Sequence, residues 1–183
     1  INVDYFDPST TTETQEKQLL IDWQIDKSKK IILLPGRLTS WKGQVSFIEA
    51  LSLVNKELGY DSFYGVILGS DQGRNVYKKK IIRLVEQHRL TNQLKFIEHC
   101  KNMPVAYKIS DLIVSASIEP ESFGRVAVEA QSMKKPILAS DIGGSNETVE
   151  NGKTGFLFEA GNPVSLSNKI LEILKLDEST LKS

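Results

Sequence analysis

Residues 111–133 read DLIVSASIEPESFGRVAVEAQSM, and this stretch decides which fold the chain is predicted to adopt. Its first part, residues 111–117, has the unbroken apolar core that is typical of a parallel strand covered on both faces. Pro120 prevents a simple continuation of that strand. From Ser122 onward, the apolar residues recur at helical spacing on one face, which contains Val126, Ala130 and Met133. The stretch therefore predicts a strand, a loop and a helix.

Three glutamates lie at or near the predicted junction of strand and helix: Glu119, Glu121 and Glu129. Ligands bind at the carboxyl ends of strands in an open parallel sheet, and the first N–H groups of the following helix attract anions. A glutamate near a helix start is also stabilised by the helix dipole alone, by about 0.3–1 kcal/mol. Both a structural and a ligand-binding role are therefore open. The pair Phe123-Gly124 favours a ligand, because glycine lets the backbone approach one closely.

The rest of the chain alternates between strand and helix patterns. Further strands are predicted at residues 31–34, 63–68, 94–97, 136–139 and 155–158. Helices are predicted after a cap within residues 9–12, after Gly43, at 74–89, at 104–110 and from Pro163 to about Leu176. This alternation predicts an α/β fold: a doubly wound, Rossmann-like parallel sheet of about six strands, with helices on both faces and right-handed crossovers.

Two finer expectations concern single segments. Residues 1–8 have no helical period and are predicted to be extended. The 74–89 helix is predicted to bury Val76, Ile81, Leu84 and Val85.

Length and composition limit the classes of protein to consider. A chain of 183 residues suits one domain with a substantial core, and 40% hydrophobic and 25% charged residues are typical of soluble globular proteins. Lys and Arg number 23, as do Asp and Glu, so net charge gives no case for nucleic-acid binding. The single Cys100 excludes an internal disulfide, and the two histidines show no zinc-site spacing. The apolar runs are too short to cross a bilayer, and there is no signal-peptide pattern. We therefore expect an intracellular, metal-free protein.

A second charged loop follows the predicted strand at 31–34. Residues 36–43 read GRLTSWKG, which places Arg37 and Lys42 near the carboxyl end of that strand. The planar fork of arginine and the point charge of lysine together suit a diphosphate. Two ordinary surface cations would give the same pattern, so the residues alone leave both interpretations open.

Glycines mark two other predicted loops. Residues 69–73 follow a strand but lack the G-x-G-x-x-G dinucleotide fingerprint, and the chain has no G-x-x-x-x-G-K-[ST] loop. The consecutive Gly143 and Gly144 suit either a tight turn or a close approach to a ligand.

Four motifs together resemble a known family. These are GRL with the following KG from Gly36, ESFGRVAVEA from Glu121, KPILASDIGGSNE from Lys135 and NGKTGFLF from Asn151. In this order they resemble the donor-binding half of the group 1, or family 4, retaining glycosyltransferases, whose two-domain fold is called GT-B. The resemblance runs from about residue 35 to residue 161.

The resemblance implies a domain organisation. An N-x-V-D segment followed by F-x-P marks the crossing between the two domains of the family, so residues 1–8 are expected to be an interdomain segment. Residues 9–183 are then the nucleotide-sugar donor-binding domain. The N-terminal acceptor domain would precede this chain, which lacks an initiating Met.

The resemblance also implies roles for named residues. The catalytic residues are expected to be Glu121, Arg37 and Lys42, with Glu121 contacting hydroxyls of the donor sugar and the two cations the diphosphate. Glu129 is expected to contact the ribose. The remaining substrate-binding positions are expected to donate backbone N–H groups or to let the backbone approach the ligand closely. They are Gly36, Phe123, Gly124, Arg125 and Val126.

By resemblance, the full protein transfers a sugar, with retention, from a UDP-, GDP- or ADP-sugar to a glycan or lipid-linked acceptor, without metal or cofactor. The usual glycine after the third strand is replaced by Glu98, which leaves the base open. The family also implies a cytoplasmic enzyme of cell envelope polysaccharide biosynthesis, with peripheral association at the inner face of the membrane left open. The alternatives are a non-catalytic nucleotide-sugar-binding module and another GT-B enzyme, such as a sugar-nucleotide epimerase.

Overall fold

The computed structural model describes residues 1–59 and 62–175, and its centre is a six-stranded parallel sheet. The strands are β1 (Lys30–Pro35), β2 (Phe63–Leu68), β3 (Leu94–Ile97), β4 (Leu112–Ser115), β5 (Ile137–Ser140) and β6 (Phe156–Phe158). Their order across the sheet is β3-β2-β1-β4-β5-β6, and all neighbours are parallel. The predicted doubly wound α/β sheet is therefore confirmed. From β1 to β3 successive strands are added on one side of β1, and from β4 to β6 they are added on the other side. The carboxyl ends of β1 and β4 are therefore the switch point of the sheet.

Seven α-helices connect or flank the strands in the described part of the chain. They are α1 (Glu13–Trp23), α2 (Gln44–Leu58), α3 (Asn75–Gln87), α4 (Met103–Ile109), α5 (Arg125–Ser132), α6 (Ser145–Thr148) and α7 (Pro163–Lys175). Short 3₁₀ turns occur at Pro8–Thr10 and Ser40–Lys42. The predicted end of the last helix at Leu176 lies outside the described residues.

The helices lie on both faces because the central strands are apolar on both faces. In β1, Ile32 and Leu34 pack into a core formed with α2, α3 and α7, whereas Ile31 and Leu33 pack into a second core with α1, α4 and α5. Alternate residues of a strand point to opposite faces, so one continuous apolar run serves both cores.

Three local predictions were wrong. Val76 is 86% exposed, because it lies about 140° around the helix from the buried Ile81. Residues 1–8 are not extended: residues 3–5 form a turn, and the Phe6 N–H donates to the Asn2 carbonyl at 3.2 Å. The central helix begins at Arg125 rather than near Ser122. The intervening residues form a loop that ends at Gly124, whose φ of 68° is left-handed.

The loops after β1 and β4 touch through their backbones. Gly43, at the start of α2, has a φ of 72°, and a Cβ atom there would lie 1.8 Å from the carbonyl oxygen of Ala116. Beside this contact, the N–H of Ile118 donates to the carbonyl of Trp41 at 2.8 Å. Glycine is therefore required at position 43 both by the backbone conformation and by the close contact with the loop after β4.

We expect Gly43→Ala to lower the free energy of unfolding by about 3 kcal/mol or more, since the methyl group would force the two loops apart. Gly73→Ala is the matched control: Gly73 has a φ of 81°, but no atom lies within 4 Å of its added Cβ. The control should lose only about 1 kcal/mol, from the left-handed backbone alone. Urea unfolding of both variants measures the difference, and equal losses would contradict the importance of the loop contact.

Candidate functional site

The candidate site lies at the switch point, between two loops. The β1 loop comprises residues 36–43, and the β4 loop comprises residues 116–124. Because β1 and β4 are parallel neighbours, with Leu33 paired to Ile113, both loops leave the same edge of the sheet side by side. Residues far apart in the sequence are thereby brought within bonding distance.

The centre of the site is an ion pair between the two loops. The Nζ of Lys42 lies 2.7 Å from the Oε1 of Glu121, and the two side chains are only 14% and 18% exposed. The hydroxyl of Ser117 donates to the same carboxylate oxygen. Gly36 lies directly beside the lysine, since a Cβ added there would be in van der Waals contact with the Lys42 side chain at 3.5 Å. The structure thus fixes the Glu121 carboxylate with two donors.

Trp41 brings the two predicted cations to one place. Its ring centroid lies 4.6 Å from the Lys42 Nζ and 5.8 Å from the Arg37 Cζ. Such cation–π contacts contribute about 0.5–1 kcal/mol at exposed sites. The Arg37 side chain is exposed, and among residues 1–59 and 62–175 no carboxylate oxygen lies within 4 Å of it. The two cations expected to be catalytic therefore lie against one indole ring, a contact that the sequence did not reveal.

The second predicted glutamate occupies a different environment. Glu129 is 7% exposed, so it is not a solvated helix residue. The buried hydroxyl of Tyr107 donates to its Oε2 at 2.7 Å, and the Nη2 of Arg125 donates to its Oε1 at 3.3 Å. Burial raises the pKa of Tyr107 well above its ordinary value, and the negative Glu129 raises it further. Tyr107 therefore remains a donor, and Glu129 keeps unused lone pairs for a ligand.

The consecutive glycines hold the β4 loop from its other side. The N–H of Gly144 donates to the carbonyl of Glu121 at 2.7 Å, and a Cβ at Gly144 would lie 2.7 Å from the Phe123 backbone. A Cβ at Gly143 would lie 2.8 Å from the carbonyl oxygen of Glu121. The sequence left a tight turn and a close approach to a ligand open here, and the structure shows a close approach to the loop that carries Glu121.

The remaining predicted positions surround α5. Phe123 is 50% exposed, and Gly124 is buried directly before the helix. Arg125 points to solvent apart from its contact with Glu129, whereas the side chain of Val126 packs against the core. Because the side chain of Val126 is apolar, its backbone N–H is the group that it can offer to a polar ligand. The first turn of α5 provides N–H groups without helical partners at this edge of the sheet.

Within the described ranges, no three His, Cys, Asp or Glu side chains are grouped so that they could hold a metal ion. No helix in the same part of the chain is long and apolar enough to span a membrane.

Comparison with known proteins gives consistent matches. The family model for glycosyl transferases group 1 matches residues 15–182. The D-inositol 3-phosphate glycosyltransferase of Corynebacterium glutamicum (strain R) is 24% identical over 183 residues, which cover 99% of this chain and 43% of that protein.

Solved structures agree with this match. A glycosyltransferase from Rickettsia africae ESF-5 superposes with a TM-score of 0.93 and 36% identity, over 100% of this chain and 47% of the other. Anabaena Alr3699/HepE in complex with UDP-glucose superposes with a TM-score of 0.87 and 27% identity, over 100% of this chain and 48% of the other. The chain thus spans less than half the length of these relatives.

We expect Tyr107→Phe to lower the free energy of unfolding by about 1–3 kcal/mol, because the buried Glu129 carboxylate loses a donor. The effect depends on pH. Since the folded-state pKa of Tyr107 is raised above about 10, the folded chain retains a proton that the unfolded chain releases, and stability falls as the pH rises beyond 10. Urea unfolding between pH 7 and pH 11 should show a shallower alkaline fall in the variant.

The control for this experiment is Tyr5→Phe, since Tyr5 is 42% exposed. It should match the parent chain at every pH. A Tyr107→Phe variant with unchanged stability and the same alkaline slope would contradict the hydrogen bond to Glu129.

Proposed function

The chain belongs to the group 1 glycosyltransferases and corresponds to the C-terminal, donor-binding half of such an enzyme; we propose that the full protein transfers a sugar from a nucleotide-diphosphate sugar, with retention of anomeric configuration and without a metal ion. The observation that carries the proposal is the Lys42–Glu121 ion pair at the switch point. It joins a cation suited to a phosphate with a carboxylate suited to sugar hydroxyls, where open α/β sheets bind ligands.

In the proposed reaction, the bond between the anomeric carbon and the diphosphate breaks, and negative charge develops on the departing diphosphate. Lys42 and Arg37 stabilise that charge, together with the N–H groups at the start of α5. These preorganised positive groups supply what a metal ion supplies in other transferases, and the metal-independent mechanism rests on them.

Glu121 accepts hydrogen bonds from hydroxyls of the donor sugar. The pair with Lys42 orients its carboxylate, and Ser117 fixes the same oxygen, so the second oxygen remains for the sugar. Glu129 in turn accepts from the ribose hydroxyls, oriented by Tyr107 and Arg125.

Gly36 and residues 123–126 line the donor-binding site between Glu121 and Glu129. Gly36 and Gly124 let the backbone approach, and the N–H groups of residues 123–126 hold the sugar or the phosphates.

A UDP-sugar is the donor that the comparisons favour. The Anabaena protein that superposes on this chain was crystallised with UDP-glucose, and it was also crystallised with UDP and glucose. The acceptor, a glycan or lipid-linked molecule, would be bound by the N-terminal domain of the full protein. We place this activity in the cytoplasm, in the synthesis of cell envelope polysaccharide.

We expect this chain to bind UDP or a UDP-sugar more tightly than GDP or ADP, equally well with Mg²⁺ and with EDTA. Lys42→Ala should weaken UDP binding at least about tenfold, because a charge-assisted contact to phosphate is lost. Isothermal titration calorimetry measures both effects. Lys17→Ala is the control, since Lys17 is an exposed lysine on α1, and it should bind UDP as the parent chain does. Binding that requires Mg²⁺, or that survives Lys42→Ala unchanged, would refute the metal-free phosphate site.

In the full-length protein, we expect Glu121→Gln to lower kcat for sugar transfer by at least about a hundredfold, because the neutral amide no longer holds the sugar hydroxyls in the reactive orientation. The rate of UDP release at a saturating concentration of UDP-sugar measures kcat. Glu119→Gln is the matched control in the same loop, because Glu119 is exposed and has no ion pair among the described residues. Normal turnover by the Glu121 variant would exclude this role. A full-length protein that binds the donor and never releases UDP would instead be a non-catalytic module.

A further inference from the structure

A buried glutamine connects the β1 loop to two helices. Gln44 is the first residue of α2 and is 0% exposed. Its Nε2 donates to the backbone carbonyl of Arg37 at 2.9 Å, and its Oε1 accepts from the hydroxyl of Tyr77 at 3.0 Å. One side chain therefore ties the β1 loop to α3.

The two hydrogen bonds define the orientation of the amide. A buried amide needs partners for its polar atoms, and here the partner of the nitrogen is a carbonyl and the partner of the oxygen is a hydroxyl. Burial raises the pKa of Tyr77 to about 12, so its hydroxyl keeps the proton that it donates well beyond neutral pH.

The backbone on both sides of Arg37 is also fixed. The N–H of Gly36 donates to the carbonyl of Leu68 at 2.8 Å, and the N–H of Leu38 donates to the carbonyl of Ser70 at 3.0 Å. These bonds leave the carbonyl of Arg37 itself to Gln44. The Arg37 side chain has its ring contact with Trp41 and no ion pair in the described ranges, so the position of its backbone, together with that ring, determines where the guanidinium group can reach.

We infer that Gln44 and Tyr77 are positioning residues, which hold the backbone at Arg37 so that its guanidinium group faces the diphosphate of the donor. The inference rests on the proposed function, in which Arg37 contacts that diphosphate. It assigns to a buried glutamine and a half-buried tyrosine a role in substrate binding that core packing alone would not require. An apolar side chain of similar volume would fill the same space without holding the carbonyl.

A double-mutant cycle with the phosphate ligand tests the inference. We would titrate the chain with UDP and with uridine, which lacks the diphosphate, by calorimetry and by ligand-observed NMR. Gln44→Leu should weaken UDP binding about tenfold, and Tyr77→Phe about threefold, with uridine binding unchanged. In the Arg37→Ala background, neither substitution should weaken UDP binding further, because its effect passes through Arg37.

The control is Ser52→Ala, which changes another buried polar residue of α2 and should leave UDP binding unchanged. Equal losses of uridine and UDP affinity, or losses that add to that of Arg37→Ala, would show a general structural role and overturn the inference. If Gln44→Leu does not fold, Tyr77→Phe in the two backgrounds decides the question, because it removes a single hydroxyl group.

The same measurements distinguish a wrong proposed function from a wrong positioning role. Arg37→Ala with unchanged UDP affinity would refute the role of Arg37 itself, and the inference with it. Arg37→Ala with weakened affinity, alongside an unaffected Gln44→Leu variant, would leave Arg37 in place and overturn only the positioning role.

Discussion

The candidate site depends on the contact between the β1 and β4 loops, where the backbone at Gly43 lies against the carbonyl of Ala116. A side chain at residue 43 would separate the two loops, and Lys42, the preceding residue, would move away with its loop. The strand order places β1 beside β4, but it does not set how closely their loops approach. That distance is set by the absence of a Cβ atom at one residue. The ion pair with Glu121 is therefore a consequence of backbone packing rather than its cause.

The energetics of that ion pair support a role beyond stability. Both side chains are mostly removed from solvent, so the cost of desolvating two charges offsets much of their attraction. By contrast, the Arg125–Glu129 pair has an arginine that is 74% exposed, and solvent screens it. The pair thus contributes little net stability, although Ser117 also holds the same carboxylate. A need to orient that carboxylate for a ligand would explain both features.

Much of the fold could be predicted from the sequence because its signals are local. The bounds of β2 and β3 agree with the apolar runs at 63–68 and 94–97, and the cap of α1 lies at Thr12, within the predicted segment. The inward face of α3 was assigned wrongly at Val76, because its spacing from Ile81 is not helical.

The contacts of the site are long-range, and this is why the sequence did not reveal them. Lys42 and Glu121 are separated by 79 positions, and Tyr107 and Glu129 by 22. Gln44 and Tyr107 lie within apolar segments that predict core, so nothing marks them as hydrogen-bond donors to site residues. Gly143 and Gly144 show the same limit: their pattern left a tight turn and a close approach to a ligand open, and only the structure shows that they lie against the protein's own β4 loop. Glu121 is consequently fixed from both sides, by Lys42 through its side chain and by Gly144 through its carbonyl, and both contacts come from loops other than its own.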